Sequence, residues 1–527
     1  MTADVLNLAA IDIGTNSIHM VVVKVRTDLP SFSIVESEKE TVRLGERCAQ
    51  TGNLTEPAMA RSIAALKRFR TIAQSMGVEE IITVATSATR EAPNGSEFLQ
   101  RVKEEVDLEV ELIAGQEEAR LIYLGVLSAM ELNNQPHIVI DIGGGSTELI
   151  LGDGHDPEYL SSSKIGAVRL TDLFVKSDPI SPVEHDRLTS YVQGILERPT
   201  DEIRQILGAA PLRVIGTSGT IETIATLHAR DLNGNIPPQL QGYEVPFSDI
   251  ENLVWRLQKA NLAERTEMVR QKRAEIILAG GVILREAMRL LGASRLVVCQ
   301  RSLREGLIVD WMIRHSYIQD RWRYQSSVRT RSVQKLVDKY HINLNYAKEV
   351  ARHTLSIFDQ TAGILHQWGD PERELLWAAA MLHNAGHHIS HDAHHKHSYY
   401  LIRNGELLGF NNSEIEIIAN IARYHRKNEP KRRHENYQRL TTEKQRLFVR
   451  QASTFLRLGT ALDRRQINAI DRVNVQVDVI GRRCHLALTA KHSNDPCHLE
   501  LWSIEYKKAP FEGQFDLTLT ASLHSAN

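Results

Sequence analysis

Residues 138–149 read IVIDIGGGSTEL. An apolar run with strand character ends at Asp141 and Ile142, and Gly143, Gly144, Gly145, Ser146, Thr147 and Glu148 follow. Glycines let a backbone approach a ligand closely. Consecutive backbone N–H groups in such a turn form a concave anion site. Ser146 and Thr147 add hydroxyl donors, so the turn suits a phosphate and not an apolar ligand. Asp141 closes the first strand and Glu148 opens the returning one, both within reach of the same pocket. Two carboxylates beside a phosphate repel it unless a cation intervenes, which implies Mg²⁺ or a similar hard ion.

The scheme occurs twice. LAAIDIGTNSIHMVVVKV (8–25) has the same order of apolar strand, Asp, Ile, Gly, hydroxyl-bearing turn and apolar strand. Its turn supplies Gly14, Thr15, Asn16 and Ser17 after Asp12. A repeat at domain scale predicts two related α/β lobes whose turns face each other across a cleft. Residues 9–13 and 20–25 read as a strand pair, 57–76 as a helix, 79–90 as a strand running into a loop, and 117–130 as a helix. Further strands are expected at 212–220 and 295–300, with a loop at 231–244. After about residue 311 amphipathic helices take over and run to about 470. The segments 473–490, 499–509 and 515–521 alternate apolar and polar residues, which predicts a small antiparallel sheet. The expected domains are 1–128 and 129–310 (the lobes), 311–470 (helical) and 471–527 (β-rich).

The 527 residues are 42% hydrophobic and 24% charged, with a net charge of −2, an ordinary soluble composition. No apolar run approaches the roughly 18 residues that span a bilayer. The N-terminus, MTADVLNLAAIDIG, has no basic region, apolar core or cleavage site. Cys48, Cys299, Cys484 and Cys497 are scattered, with no CxxC pair. These features point to a cytoplasmic protein with reduced cysteines and no membrane insertion. Arg and Lys concentrate at 321–350 and 423–483, including RYHRKNEPKRR at 423–433. Such stretches are either a solvated basic surface or a groove for a polyanion.

IDIGTNS and IDIGGGSTEL resemble the paired phosphate loops of the actin, sugar kinase and heat-shock-chaperone superfamily. More narrowly, the chain is similar to the exopolyphosphatase and guanosine pentaphosphate phosphatase family. ATSATREAPNG (85–95), GQEEARLIYLGV (115–126), VIGTSGTIETIA (214–225), RAEIILAGGVIL (273–284) and LREGL (303–307) fit that family. AAMLHNAGHHISH (379–391), HSYYLIRNGELLGF (397–410) and ARYHRK (422–427) resemble the long bacterial exopolyphosphatases, so the resemblance covers nearly the whole chain. It implies two actin-like (ribonuclease H-like) lobes, an all-α domain like the HD phosphohydrolases and a small β-rich domain.

The family pattern further implies that Glu118 points into the cleft and takes a proton from a water attacking the terminal phosphorus. Asp141 and Glu148 hold Mg²⁺ or orient the water, and Asp12 helps hold the ion from the other lobe. Arg90 faces the phosphoryl oxygens with its planar fork, and Arg169 is a candidate for a further phosphate. The loop Gly216–Thr220 contacts a later phosphate or merely turns the strand. Glu275 stands where relatives often have Asp, and Gly281 adds a second glycine to AGG. Neither touches the proposed chemistry.

The segment HNAGHHISHDAHHKH (383–397) resembles a degenerate HD site, with His353, His383, His425 and Asp463 at suggestive places. HD chemistry wants an adjacent His-Asp pair, and here the pair is His383-Asn384. Asn is a poor divalent-metal ligand beside Asp. A helical domain that kept the fold and lost the metal is expected, its basic residues lining a channel for a polyanion.

The expectation is therefore a Mg²⁺-dependent, processive exopolyphosphatase acting on inorganic polyphosphate, not on nucleic acid, and by resemblance a homodimer. Guanosine pentaphosphate phosphatase is the nearest rival. An actin-like ATPase or sugar kinase, and a polyphosphate sensor without turnover, are the others.

Overall fold

The computed structural model describes residues 5–26, 31–47, 51–234, 237, 239–269, 271–318 and 328–524. Cys48, part of the loop 231–244 and the start of the basic stretch 321–350 lie outside the described residues. The chain divides into two compact units, Met1–Val328 and Arg329–Asn527.

The first unit contains the duplication that the sequence repeat requires. β1 (Val5–Ile13) pairs antiparallel with β2 (Ser17–Arg26), which pairs antiparallel with β3 (Ser31–Thr41). On its other side β1 runs parallel to β4 (Glu80–Ala85), and β4 to β5 (Glu111–Leu112). The second sheet repeats this order with β8 (Tyr159–Ser163), β7 (Thr147–Gly152), β6 (His137–Ile142), β9 (Val214–Thr217) and β11 (Arg295–Val298), and adds β10 (Glu244–Pro246) at the edge. Both central hairpins close in the same register: Ile13 faces Ile18, and Ile142 faces Thr147.

The runs in β6 and β7 are continuously apolar because both faces are covered. Ile138, Ile140, Leu149 and Leu151 are fully buried in a core shared with the helices Pro182–Leu207 and Ile277–Leu291. In the first lobe, Thr55 caps the helix Glu56–Ser75 by accepting from Ala58 N at 3.4 Å, with a proline in the first turn. The helices Gly115–Leu127 and Leu303–Arg314 cross at two glycines. A Cβ on Gly306 would collide with Leu121 O, and one on Gly125 with Ser302 O. Backbone-to-backbone contact at this crossing seats the helix that carries Glu118.

The second unit is built on the helices Leu344–Thr361, Asp370–Leu382, Asn412–Arg423 and Glu443–Leu462, which bury one apolar cluster. A three-stranded sheet of β12 (Ile470–Asp478), β13 (Arg483–Ala490) and β14 (Thr518–His524) packs on that cluster. This corrects the sequence expectation twice. Residues 499–509, read as a strand, lie mostly in the helix His498–Lys507, with Glu500, Ser503 and Ile504 buried at helical spacing. Ten residues are too few to separate a period of two from one of 3.6. The sheet is mixed, since β13 and β14 run parallel. A parallel pair needs a crossover, and the helices His498–Lys507 and Ala509–Phe515 provide it.

Candidate functional site

The two glycine turns meet across the cleft of the first unit. Gly14 N donates to Ser17 O at 3.2 Å, and Gly143 N to Ser146 O at 3.0 Å, so the turns share one backbone path. A Cβ on Gly144 would lie 3.1 Å from Thr15 Cβ, and one on Gly145 would lie 2.6 Å from both Thr15 Oγ1 and Ser87 Oγ. Only glycine leaves the turns this close. The cavity between them is lined by Gly14, Thr15, Asn16, Ser17, Gly143, Gly144, Gly145 and Ser146, with Asp12, Asp141 and Glu118.

The carboxyls in and beside this cavity are buried and raised in proton affinity. Asp12 is pushed up to about 7, chiefly by burial, with Arg304 opposing and Asp141 adding to the shift. Its Oδ1 has no hydrogen-bond partner. Asp141 accepts from Ser302 Oγ at 2.6 Å and is also raised by burial. Glu118, at the N-terminal end of its helix, is 7% exposed and raised to about 8 by burial, against the lowering pull of Arg90. Arg90 Nη1 donates to Glu118 Oε2 at 3.2 Å and to Ile113 O at 2.7 Å. Glu148 accepts from Ser162 Oγ at 2.8 Å and is raised well above its ordinary value by burial, with Glu118 next.

Such a set fits a divalent cation. Among the described residues no three acidic, histidine or cysteine side chains form a ready-made cage. Mg²⁺ ordinarily takes one or two carboxylates and completes its shell with phosphate oxygens and water, which needs no such cage. The bare Oδ1 of Asp12, facing Asp141 from the opposite lobe, is the free donor that such an ion would use.

Four sequence-named residues lie apart from the cavity lining: Glu148, held by Ser162, together with Thr147, Arg169 and Arg90. Thr147 is fully buried, and its hydroxyl donates to Ile165 O at 2.7 Å. Arg169 donates to Gly145 O at 2.9 Å and pairs with Glu91 at 2.8 Å, bracing the turn from behind. Arg90 reaches the cleft through Glu118. The loop Gly216–Thr220 does meet the cavity: Ser218, with φ of 72°, donates to Ile142 O at 2.8 Å and lines it beside Thr217 and Gly219.

Sequence reasoning assigned no role to His19, Lys39, Glu222, Arg273, Ser302 or Arg304, which all line the same cavity. The guanidinium of Arg273 lies against Gly219, where a Cβ would collide with it. His19 faces Asp12 in register as Glu148 faces Asp141. Burial, with Arg304, Lys39 and Arg273, holds its imidazole well below its ordinary range, so it is neutral. Setting the two repeats side by side pairs His19 with Glu148 and would have found it.

Residues 21–315 match the Ppx/GppA phosphatase family, and residues 328–508 match its domain III. The chain belongs to the Ppx/GppA phosphatase family. It is an enzyme of the phosphatase class, in the two-lobed actin-like fold of that family. A Ppx/GppA family member from Aquifex aeolicus is 30% identical, with a TM-score of 0.51, covering 59% of this chain and 99% of the other. An exopolyphosphatase from Cytophaga hutchinsonii is 29% identical, with a TM-score of 0.54, covering 59% and 98%. A guanosine-5'-triphosphate,3'-diphosphate pyrophosphatase from Pseudoalteromonas atlantica is 28% identical over 427 residues, 79% of each chain. Among the described residues no helix of this phosphatase is long and apolar enough to cross a membrane.

The histidines named from the HD resemblance fall in the second unit. His353, His383 and His425 are buried, and Asp463 Oδ1 accepts from the amides of Ile467 and Asn468 at 3.0 and 2.8 Å. Of the basic residues in the two Arg/Lys-rich stretches, several are already engaged: Arg329 with Glu374 and Glu414, Lys335 with Glu406, and Arg457 with the Tyr424 carbonyl.

Proposed function

We propose that this phosphatase is an exopolyphosphatase that removes terminal orthophosphate from inorganic polyphosphate. The observation that carries the reading is the contact of the two glycine turns over a cavity lined by Glu118, Lys39, Arg273 and Arg304. That lining has no Phe, Tyr or Trp among the described residues, so it offers phosphate contacts and no platform for a base.

The amides and hydroxyls of both turns bind the terminal phosphoryl group and fix its orientation. Glu118, whose proton affinity lies close to neutral pH, accepts the proton of a water molecule as its oxygen attacks the terminal phosphorus. The bond from phosphorus to the bridging oxygen breaks, and the shortened chain leaves as an anion. Arg90 holds the Glu118 carboxyl in place. Burial raises its basicity, with Asp12 and Asp141 adding to the shift. Asp12 and Asp141 would hold Mg²⁺, which when bound neutralises phosphoryl oxygens during transfer. The basic stretches of the C-terminal half supply sites for the rest of the polyanion, and the active species is a dimer in the cytoplasm.

A second reading is hydrolysis of guanosine pentaphosphate. Two observations favour it: the Pseudoalteromonas relative matches across most of the chain, and a neighbouring cavity of about 900 Å³ shares Lys39, Gly219, Glu222 and Arg273 with the first. That second cavity has Leu227, Leu240, Met268 and Val269 on its wall and is large enough for a nucleoside. Phosphate release from long polyphosphate and from guanosine pentaphosphate, each with Mg²⁺, decides between them. Faster turnover of the nucleotide at equal concentration overturns the polymer reading. Release from neither, by protein that is folded and loaded with Mg²⁺, overturns both.

A further inference from the structure

The first sheet is open along part of one strand. β1 pairs with β4 from Glu80 to Ala85, whereas β5 pairs with it only at Val84 and Ala85. Among the described residues, positions 80–83 therefore have a neighbouring strand on one side alone, and a strand edge carries backbone carbonyls that can accept. A cavity of about 450 Å³ lies at this gap, against the helices Gly115–Leu127 and Leu303–Arg314. Ile81 and Ile82 leave opposite faces of the strand, and both line the cavity, so it wraps the open edge. Thr83 lines it too. That residue is 4% exposed, and its Oγ1 has no hydrogen-bond partner.

The lining joins apolar side chains to five carboxylates: Glu80, Glu109, Glu111, Glu117 and Asp310. Lys103 pairs with Glu109, Arg120 with both Glu117 and Asp310, and Arg314 with Asp310, each at 2.7 Å. Three cations thus meet three of the acids. Glu80 accepts from the neutral Trp311 Nε1 at 2.8 Å. Among the described residues neither Glu80 nor Glu111 forms an ion pair. Glu111 stands opposite Val84, four residues along β4 from Glu80 and on the same face, about 13 Å along the strand. Ile82 lies between them on that face. Carboxylates so far apart cannot share one metal ion. An elongated molecule with a positive charge at each end and an apolar middle can satisfy both.

We propose that this cavity binds a linear aliphatic polyamine. One terminal ammonium pairs with Glu80 and the other with Glu111, the methylene chain covers Ile82, and an inner nitrogen donates to the Thr83 hydroxyl. A triamine such as spermidine spans the two acids, and a short diamine such as putrescine does not. The cavity shares no lining residue with the cleft between the glycine turns, so the proposal stands apart from the substrate assigned to that cleft.

Isothermal titration of the full-length protein with spermidine tests this. Saturating Mg²⁺ occupies the cleft, and polyphosphate is left out because it would itself bind the amine. The variants are E80Q, whose amide oxygen still accepts from Trp311, and E111Q, with E97Q as an exposed carboxylate outside the cavity. One spermidine per chain is expected. E80Q and E111Q should each weaken it about fivefold, and E97Q should leave it unchanged. Putrescine should bind at least about fivefold more weakly than spermidine. Circular dichroism melting reports that the variants are folded, and if E80Q is not, the exposed E111Q carries the test. No binding by the unaltered protein, or unaltered affinity in the folded variants, would overturn the proposal. So would equal weakening by E97Q, putrescine binding as tightly as spermidine, or a trilysine peptide binding more tightly than spermidine.

Discussion

The turn after β1 and the turn after β6 follow one backbone path and differ in what stands across from the aspartate. In the first lobe Asp12 faces His19, a neutral imidazole set among Lys39, Arg273 and Arg304. In the second Asp141 faces Glu148, and Glu118 adds another carboxyl nearby. Duplication supplied two equal glycine turns, and divergence at one register position made what faces the two aspartates unequal. Carboxyls and cations line the same cavity: Asp12, Asp141, Glu118 and Glu222 with Lys39, Arg273 and Arg304.

The asymmetry can be tested in order of expected effect. Glu118→Gln keeps the shape and removes the proton acceptor, so kcat should fall by about 10³-fold while polyphosphate still binds. Near-normal turnover would take the role of base away from Glu118. Gly145→Val would drive a side chain into Thr15 and Ser87 and hold the turns apart, lowering kcat/KM by roughly 10²-fold in a folded protein. An unchanged kcat/KM would show that the two nests act separately.

Thermal unfolding with and without Mg²⁺ sharpens the acidic side. Asp12 and Glu118 titrate near 7 and 8 in the folded protein, against 3.8 and 4.5 as ordinary values. The folded state therefore holds more protons between those limits, and metal-free stability should fall as pH rises from about 4 to 8. Mg²⁺ should raise Tm more at pH 8 than at pH 6. An equal rise at both pH values would mean the ion binds elsewhere. The smallest effect is expected from Thr147→Val. It leaves the buried Ile165 carbonyl without its donor, a loss of about 1–3 kcal/mol in stability with little change in kcat. A large drop in kcat with Tm intact would return Thr147 to the phosphate.

The nests themselves were legible because glycine, aspartate and hydroxyl residues in that order have few other uses, and because they occur twice. Glu118, Asp12 and Asp141, each within a motif, all line the cavity. Thr147 does not, because alternation along β7 decides which hydroxyl faces the ligand, and Ser146 took that side. Arg169 does not: an arginine near a phosphate loop can brace the loop or touch the phosphate with the same side chain. Helix His498–Lys507 was misread because ten residues carry too little periodicity.

By itself the sequence determined the duplicated α/β lobes, the paired glycine turns and the family, since these rest on local backbone chemistry and on order along the chain. Only the tertiary structure decided which charges face which. Lys39, Glu222, Arg273 and Arg304 reach one cavity from segments far apart in sequence. Proton affinity depends on burial and on neighbours brought together by folding, and neither is written in the order of residues.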